Sequence, residues 1–267
     1  MFDLMKIRYF LLFGFITLII VILGSFIIFG EAFIEDETLF TLIFSYTILG
    51  AFPLLWFWIQ FKKQKGKFSD ELYVKDVGQS IPTLLGLTLT LIIFSLGSFW
   101  LTCFLLAPIF PGYVEWLLQD VKLFPDHTLL FFLTAIYISL IGPIVEEFIF
   151  RGLLLNRLAT KFNMMVGIFI TNIIFAVFHS DILGAFMFGF ILSILYLKSG
   201  NLLLPIIVHV LNNSFVTILT IIDPPLPDFL SETTMEQLSE QIIPNIIMLA
   251  ISIPILIIYI KKNKRVF

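Results

Sequence analysis

The sequence has few charged residues and a single cysteine. Charged side chains make up 13% of its 267 residues and apolar side chains 59%, whereas a soluble domain has roughly 25% charged residues. A soluble globular protein is therefore excluded. The one cysteine, Cys103, can form neither an intrachain disulfide nor a thiolate metal cluster. Its neighbours Trp100 and Phe104 are apolar, so we expect it to be a packing residue.

The alternating polar positions of a transmembrane β-barrel strand are also missing. Apolar runs such as 10–29 are continuous, and a membrane-spanning helix needs roughly 20 such residues. The runs predict an all-α, polytopic membrane protein with about eight transmembrane helices, forming a single domain over residues 1–267. The predicted spans are 9–29, 39–61, 81–106, 128–150, 164–180, 182–197, 202–221 and 243–260.

Charge is unevenly distributed between the connectors of these spans. Basic residues precede span 1 and follow spans 2, 4, 6 and 8, whereas acidic residues fill most of the opposite connectors. The positive-inside rule then predicts that both termini are cytoplasmic. One span more or fewer would place basic clusters on both sides of the membrane. The partner that the sequence predicts is the lipid bilayer, and we expect no nucleic-acid partner.

A few ionisable and amide side chains fall inside the apolar spans, where each costs free energy and therefore indicates a functional site. They are Glu146, Glu147 and Arg151 in span 4, His179 in span 5, and His209 with Asn213 in span 7. Pro143 stands one turn before the glutamates and is expected to kink span 4 and free backbone carbonyls.

Helical spacing suggests how these groups could cooperate. Glu147 and Arg151 are four residues apart and can form an ion pair on one helix face, which leaves Glu146 directed elsewhere and available as a base. His209 and Asn213 also share a face and could hold an oxyanion. With His179 as an acid, this set contains what peptide hydrolysis requires.

Each group also has a structural interpretation. The two glutamates and Arg151 could form a salt bridge that reaches the cytoplasmic interface. His179 could be a hydrogen-bonded bundle histidine, and His209 with Asn213 an interhelical hydrogen-bonding pair. The third histidine, His127, lies in an acidic outer connector and is expected to be solvated.

Together, Glu146-Glu147-x-x-x-Arg151, Phe175-x-x-x-His179 and His209-x-x-x-Asn213 resemble the three motifs of the CAAX protease and bacteriocin-processing (Abi) family of intramembrane proteases. The resemblance covers residues 125–220, which would form the catalytic core. It implies an endopeptidase for a hydrophobic or membrane-associated peptide or protein. In such an enzyme Glu146 activates water with help from His179, His209 and Asn213 bind the oxyanion, and Arg151 organises the glutamates.

The resemblance leaves cofactor and biological role open. We favour a metal-free mechanism, with zinc held by Glu146, His179 and His209 as the alternative and Asn213 as a poor fourth ligand. We expect a bacterial plasma-membrane protein, since the Phe- and Ile-rich composition hints at a Gram-positive source. The competing functions are a non-catalytic scaffold or bacteriocin-immunity protein, and a transporter with a proton relay, although inverted repeats are not found in the sequence.

Overall fold

The computed structural model describes residues 1–31, 33, 36–73, 77–119, 124–222, 234–235, 237–240 and 242–266. Helices and their connecting turns account for these residues, and the described part of the chain contains no β-strand, which confirms the all-α prediction. The helices are α1 (Ile7–Phe29), α2 (Glu37–Lys63), α3 (Val77–Leu106), α4 (Pro111–Leu117), α5 (Thr128–Lys161), α6 (Met164–Val177), α7 (Ile182–Ser199), α8 (Leu203–Ile222) and α9 (Ile242–Lys262).

Seven helices are long and apolar enough to cross a membrane: α1, α2, α3, α5, α7, α8 and α9. The predicted fifth span, 164–180, corresponds to α6, whose 14 residues are fewer than a bilayer crossing normally needs. The count of eight spans and the cytoplasmic position of both termini therefore stay predictions. Parts of the charged connectors on which that orientation depends, residues 34–35, 74–76, 120–123 and 223–233, lie outside the described residues.

The helices bury two main apolar clusters. In one, α3, α6, α7 and α8 meet around Phe175, Phe188 and Leu192. In the other, the N-terminal segment and α2 pack against α5 through Phe2, Phe57 and Phe148. By contrast, α1 lies at the edge of the bundle with Ser25 as its one buried residue, so most of its apolar surface is available to lipid.

Helix α5 carries the first motif, and its geometry is irregular there. Two π-helical stretches, Tyr137–Ile141 and Phe148–Leu155, flank the short α-helical segment Gly142–Glu147. The helix also continues to Lys161, 11 residues beyond the end of the predicted span at residue 150. The charge of Arg151 does not end the helix because its side chain is fully buried and paired rather than solvated.

Pro143 frees a backbone carbonyl in α5, as expected. The N–H of Gly142 donates to the carbonyl of Tyr137, five residues earlier. In that register the next N–H would donate to Ile138, but proline has no N–H. The carbonyl oxygen of Ile138 instead accepts a hydrogen bond from the side chain of Asn213 at 3.0 Å.

Candidate active site

Three predicted site residues from two helices form one buried chain of contacts. Glu147 and Arg151 are both 0% exposed, and the Arg151 Nη1 donates to Glu147 Oε1 at 2.7 Å. His209 reaches the same oxygen from α8, with its Nδ1 at 2.7 Å. One carboxylate oxygen of Glu147 therefore accepts hydrogen bonds from both Arg151 and His209. This arrangement fixes the proton of the neutral imidazole on Nδ1 and leaves Nε2 as the free ring nitrogen.

Glu146 has a different environment from its neighbour. Its side chain remains 35% exposed, and its Oε2 lies 3.7 Å from the Nε2 of His209. That oxygen forms no hydrogen bond with the described part of the chain. The two adjacent glutamates thus point to different surroundings, as the helical spacing predicted: Glu147 is buried and paired with Arg151, whereas Glu146 is partly exposed. The Oε2 of Glu147 also lacks a hydrogen-bond partner among the described residues. An unsatisfied polar atom in a cleft is typical of a site that binds a ligand or water.

Arg151 is held in place by an aromatic ring and by close packing of the helices, as well as by its ion pair with Glu147. Its guanidinium carbon lies 4.7 Å from the centre of the Phe175 ring, a favourable cation–π position. Gly189 of α7 faces the same group. A Cβ at that position would lie 3.1 Å from Arg151 Nη2 and would overlap the Oδ1 of Asn172. Glycine is therefore needed for α7 to approach α5 and α6 at this level.

His179 lies just beyond the end of α6. Its Nδ1–H donates to the carbonyl of Phe175 at 2.8 Å, and the two rings are 4.4 Å apart. The Phe175 ring also contacts His209, with 6.0 Å between ring centres. Phe175 thus links the two histidines. The hydrogen bond to the backbone leaves Nε2 of His179 available to accept or release a proton.

Asn213 is held by α5, one turn along α8 from His209. Its Nδ2 donates one hydrogen to the carbonyl of Ile138, and its Oδ1 accepts a hydrogen bond from Asn212 at 3.1 Å. An amide nitrogen carries two hydrogens. The second one is therefore free to donate to a ligand, while the orientation of the amide is fixed by the other two contacts.

A cavity of about 180 Å³ opens beside these groups. His179, His209 and Asn213 line it together with apolar side chains of α3, α6 and α7. The structure therefore brings all six predicted site residues into one region, by direct contacts among Glu146, Glu147, Arg151 and His209 and through the shared cavity for His179 and Asn213. His127 is exposed at the start of α5 and lies apart from this site.

Two residues of the cavity were missed by the sequence analysis. Asp181 caps α7 by accepting from the Gly184 N–H at 2.9 Å, and its other oxygen accepts a hydrogen bond from Ser95 of α3. Both residues line the cavity with His179. An aspartate directly before an apolar run is a recognisable helix-start signal, which could have identified Asp181. Ser95 gives no such signal, because its partner is distant in sequence.

The donor set does not form the zinc site considered as an alternative. Among the described residues, no three His, Cys, Asp or Glu side chains are arranged to hold a metal ion. Glu146 and His209 approach each other, and the hydrogen bonds that both histidines form through Nδ1 leave Nε2 of each ring as a potential ligand atom. A structural or catalytic zinc normally has at least three protein ligands. The described residues therefore do not form a three-ligand group in this arrangement, and the choice between metal-free and zinc chemistry stays a prediction.

A comparison with known families matches the region of the chain that contains this site. The family model described as Type II CAAX prenyl endopeptidase Rce1-like matches residues 128–215, which contain all three motifs. Residues 128–215 form a Rce1-like CAAX endopeptidase domain. The Rce1-like domain spans α5 to α8, and its motifs lie where these helices meet.

Curated bacterial relatives agree with this assignment. The chain is 37% identical over 97 residues to the membrane-embedded CAAX protease MroQ of Staphylococcus aureus, covering 33% of this chain and 39% of that protein. It is 30% identical over 107 residues to the putative membrane peptidase YdiL of Bacillus subtilis, covering 39% and 43%. An uncharacterized 24.3 kDa protein of Escherichia coli is 34% identical over 97 residues, covering 33% and 45%.

The similarity therefore spans less than half the length of each of these relatives. No solved structure matches the chain. Together with the seven apolar helices, the bacterial relatives identify a multi-pass protein of the bacterial cell membrane. The helices outside the Rce1-like domain, α1 to α4 and α9, are not covered by the family model.

Proposed function

We propose that this protein is an intramembrane endopeptidase that hydrolyses a peptide bond in a hydrophobic or membrane-associated substrate. The observation that carries the proposal is that two adjacent glutamates differ in burial and in hydrogen-bond partners. Glu147 is fully buried and locked by Arg151 and His209 through its Oε1, whereas Glu146 is 35% exposed and its Oε2 faces His209 Nε2 at 3.7 Å. An ion pair that only stabilised the bundle would not require a second, partly exposed carboxylate beside it.

The chemistry follows from these positions. Glu146 takes a proton from water as the water oxygen bonds to the carbonyl carbon of the scissile peptide. The free amide hydrogen of Asn213 stabilises the oxyanion, and His209 does so as the imidazolium, in which Nε2 also carries a hydrogen. His179, protonated on Nε2 as well as Nδ1, passes the Nε2 proton to the departing nitrogen as the carbon–nitrogen bond breaks, and the proton taken up by Glu146 returns to His179 through solvent. Arg151 acts through Glu147, which orients His209, and it is therefore a positioning residue.

The cavity supports an apolar substrate. Leu91, Phe175, Ala185 and Phe188 line it beside the polar groups, and its volume of about 180 Å³ suits one or two side chains rather than a folded domain. The name of the relative MroQ describes a membrane-embedded CAAX protease, which supports the same substrate environment. We propose a metal-free mechanism, because the site lacks a three-ligand set among the described residues.

The test compares membrane and secreted peptides from a deletion strain that carries wild-type protein, Glu146→Gln or Glu115→Gln at matched expression. Glu146→Gln keeps the size of the side chain but removes the base, and we expect a loss of about 10²–10⁴-fold in product formation. Glu115 is exposed on α4 and serves as the control for a lost carboxylate.

The same strains separate the alternatives. If Glu146→Gln restores every peptide that the wild type restores, the proposal is wrong and the protein acts as a scaffold or immunity protein. Adding a zinc chelator to washed membranes containing wild-type protein tests the mechanism. Unchanged cleavage agrees with glutamate-activated water, whereas cleavage lost with chelator and regained with zinc contradicts the metal-free mechanism.

A further inference from the structure

A second cavity lies away from the candidate active site, between the start of α1 and the end of α5. It has a volume of about 570 Å³. Four basic residues line it: Lys6, Arg8, Arg157 and Lys161. Within the described part of the chain, none of the four forms an ion pair with a carboxylate. Four cations around one cavity repel one another unless an anion lies between them.

The backbone that carries these cations is fixed rather than free. Phe2 is 3% exposed and packs edge-on against Phe57, Phe61 and Phe148. The ring of Phe2 lies against Gly152 of α5, where a Cβ would come within 2.6 Å of it. The guanidinium of Arg157 also donates to the backbone carbonyl of Asp3. The N-terminal segment is thereby held to α5, and this brings Lys6 and Arg8 beside Arg157 and Lys161.

The start of α1 adds a further attraction for an anion. Lys6 occupies the N-cap position, the helix has no side-chain cap, and its first turn contains no acidic residue. The positive end of the helix dipole is therefore directed at the cavity without internal compensation. The nearest acidic residue in the sequence, Asp3, contacts the amino group of Met1 at 3.2 Å.

An apolar surface continues from the cavity along α1. Leu11, Leu12 and Phe15 follow Arg8 at the spacing of one helix face, and their exposed fractions are 62%, 52% and 61%. A free phosphate would use only the cations. A phospholipid would use both the cations and this apolar surface, which lies at the edge of the bundle.

We propose that this cavity binds the phosphate-bearing headgroup of an anionic phospholipid, whose acyl chains lie along α1. Basic pockets between transmembrane helices on the cytoplasmic side are a recognised form of headgroup site, and the predicted orientation places this cavity on that side. The site is separate from the proposed peptidase site and does not depend on it. Its contribution is to attach α1 and the N-terminal segment to the membrane at a fixed position.

The test measures retained lipid by native mass spectrometry of the full-length protein, released from bilayers of phosphatidylglycerol and phosphatidylcholine. The variant Arg8→Gln/Arg157→Gln removes two of the four cations. The control Lys262→Gln/Arg265→Gln removes two basic charges near the C-terminus, outside the cavity. At about 1 kcal/mol for each basic residue, we expect roughly 30-fold weaker retention of phosphatidylglycerol in the first variant. The control should retain it as the wild type does.

The outcomes decide between the possible ligands. Equal retention by both variants overturns the proposal, because the basic residues then act through total charge alone. Inorganic phosphate that competes as well as phosphatidylglycerol at equal concentration also overturns it, in favour of a site for free phosphate. Where loss of Arg157 prevents folding, Lys6→Gln/Lys161→Gln removes the same charge without touching the contact to Asp3, and the same loss of retention is expected.

Discussion

Removal of the guanidinium in Arg151→Met should destabilise the protein strongly, although the substitution keeps an apolar chain of similar length over Phe175. Arg151 and Glu147 are both fully buried with 2.7 Å between Nη1 and Oε1. The loss leaves a buried carboxylate whose one remaining hydrogen-bond donor is His209. Breaking such a pair costs about 3–5 kcal/mol of unfolding free energy.

The matched change on the other side is Glu147→Gln, which leaves the guanidinium buried without its counter-ion and should cost a similar amount. The double variant removes both charges and should cost less than the sum of the two single variants. We expect a coupling free energy of about 3 kcal/mol, within the range that contacting residues can reach. Reversible unfolding of the purified protein in mixed micelles measures all three free energies.

Two results would refute this reasoning. A cost below about 1 kcal/mol for Arg151→Met would place the pair among solvent-exposed salt bridges, contrary to its burial. Additive effects of the two single variants would show that Arg151 and Glu147 stabilise the bundle independently. Lys262→Met, which removes an exposed cation at the end of α9, controls for the loss of charge alone.

Two further predictions concern close packing and the freed carbonyl. Gly189→Ala should lower the free energy of unfolding by about 1–3 kcal/mol because the added Cβ overlaps Asn172 and approaches Arg151. Gly86→Ala, whose added Cβ meets nothing within 4 Å, should raise that free energy by about 0.5–1 kcal/mol through helix propensity. Equal effects of the two variants in an unfolding titration would contradict the packing argument. Pro143→Ala restores an N–H that competes with Asn213 for the Ile138 carbonyl, so kcat should fall about tenfold, the equivalent of one hydrogen bond, without loss of stability. If Pro143→Ala lowers activity of the Asn213→Ala variant by the same factor, the two residues do not act through one contact.

The sequence was sufficient for features that depend on local spacing. Apolar runs located the helices, and the four-residue interval between Glu147 and Arg151 predicted their pairing. The burial of Arg151 could not be predicted from local spacing because it depends on Phe175, a residue of another helix. A charge that would be solvated on an isolated helix is here enclosed by its neighbours.

Contacts between distant residues could not be predicted in this way. His209 reaches Glu147 across 62 positions, and Ser95 reaches Asp181 across 86. Hydrophobic periodicity contains no information about which faces of two helices meet. The motif resemblance placed the histidines in one site and helical spacing predicted different roles for the two glutamates, but the contact of His209 with Glu147 became visible only with the packing of α5 against α8.

The π-helical stretches around the glutamates have a consequence for how this site is inherited. A π-helical turn contains one more residue than an α-helical turn, so the deletion of one codon between Phe148 and Leu155 would return that stretch to ordinary helix. The helix on both sides would then keep nearly the same orientation, because one turn replaces one turn, and the change would fall on the residues inside the stretch. Arg151 lies within it, after the glutamates, so the position of its guanidinium relative to Glu147 depends on the extra residue. In an alignment of related genes, a single-residue gap in this stretch is therefore the expected mark of an altered ion pair, even where every motif residue is retained.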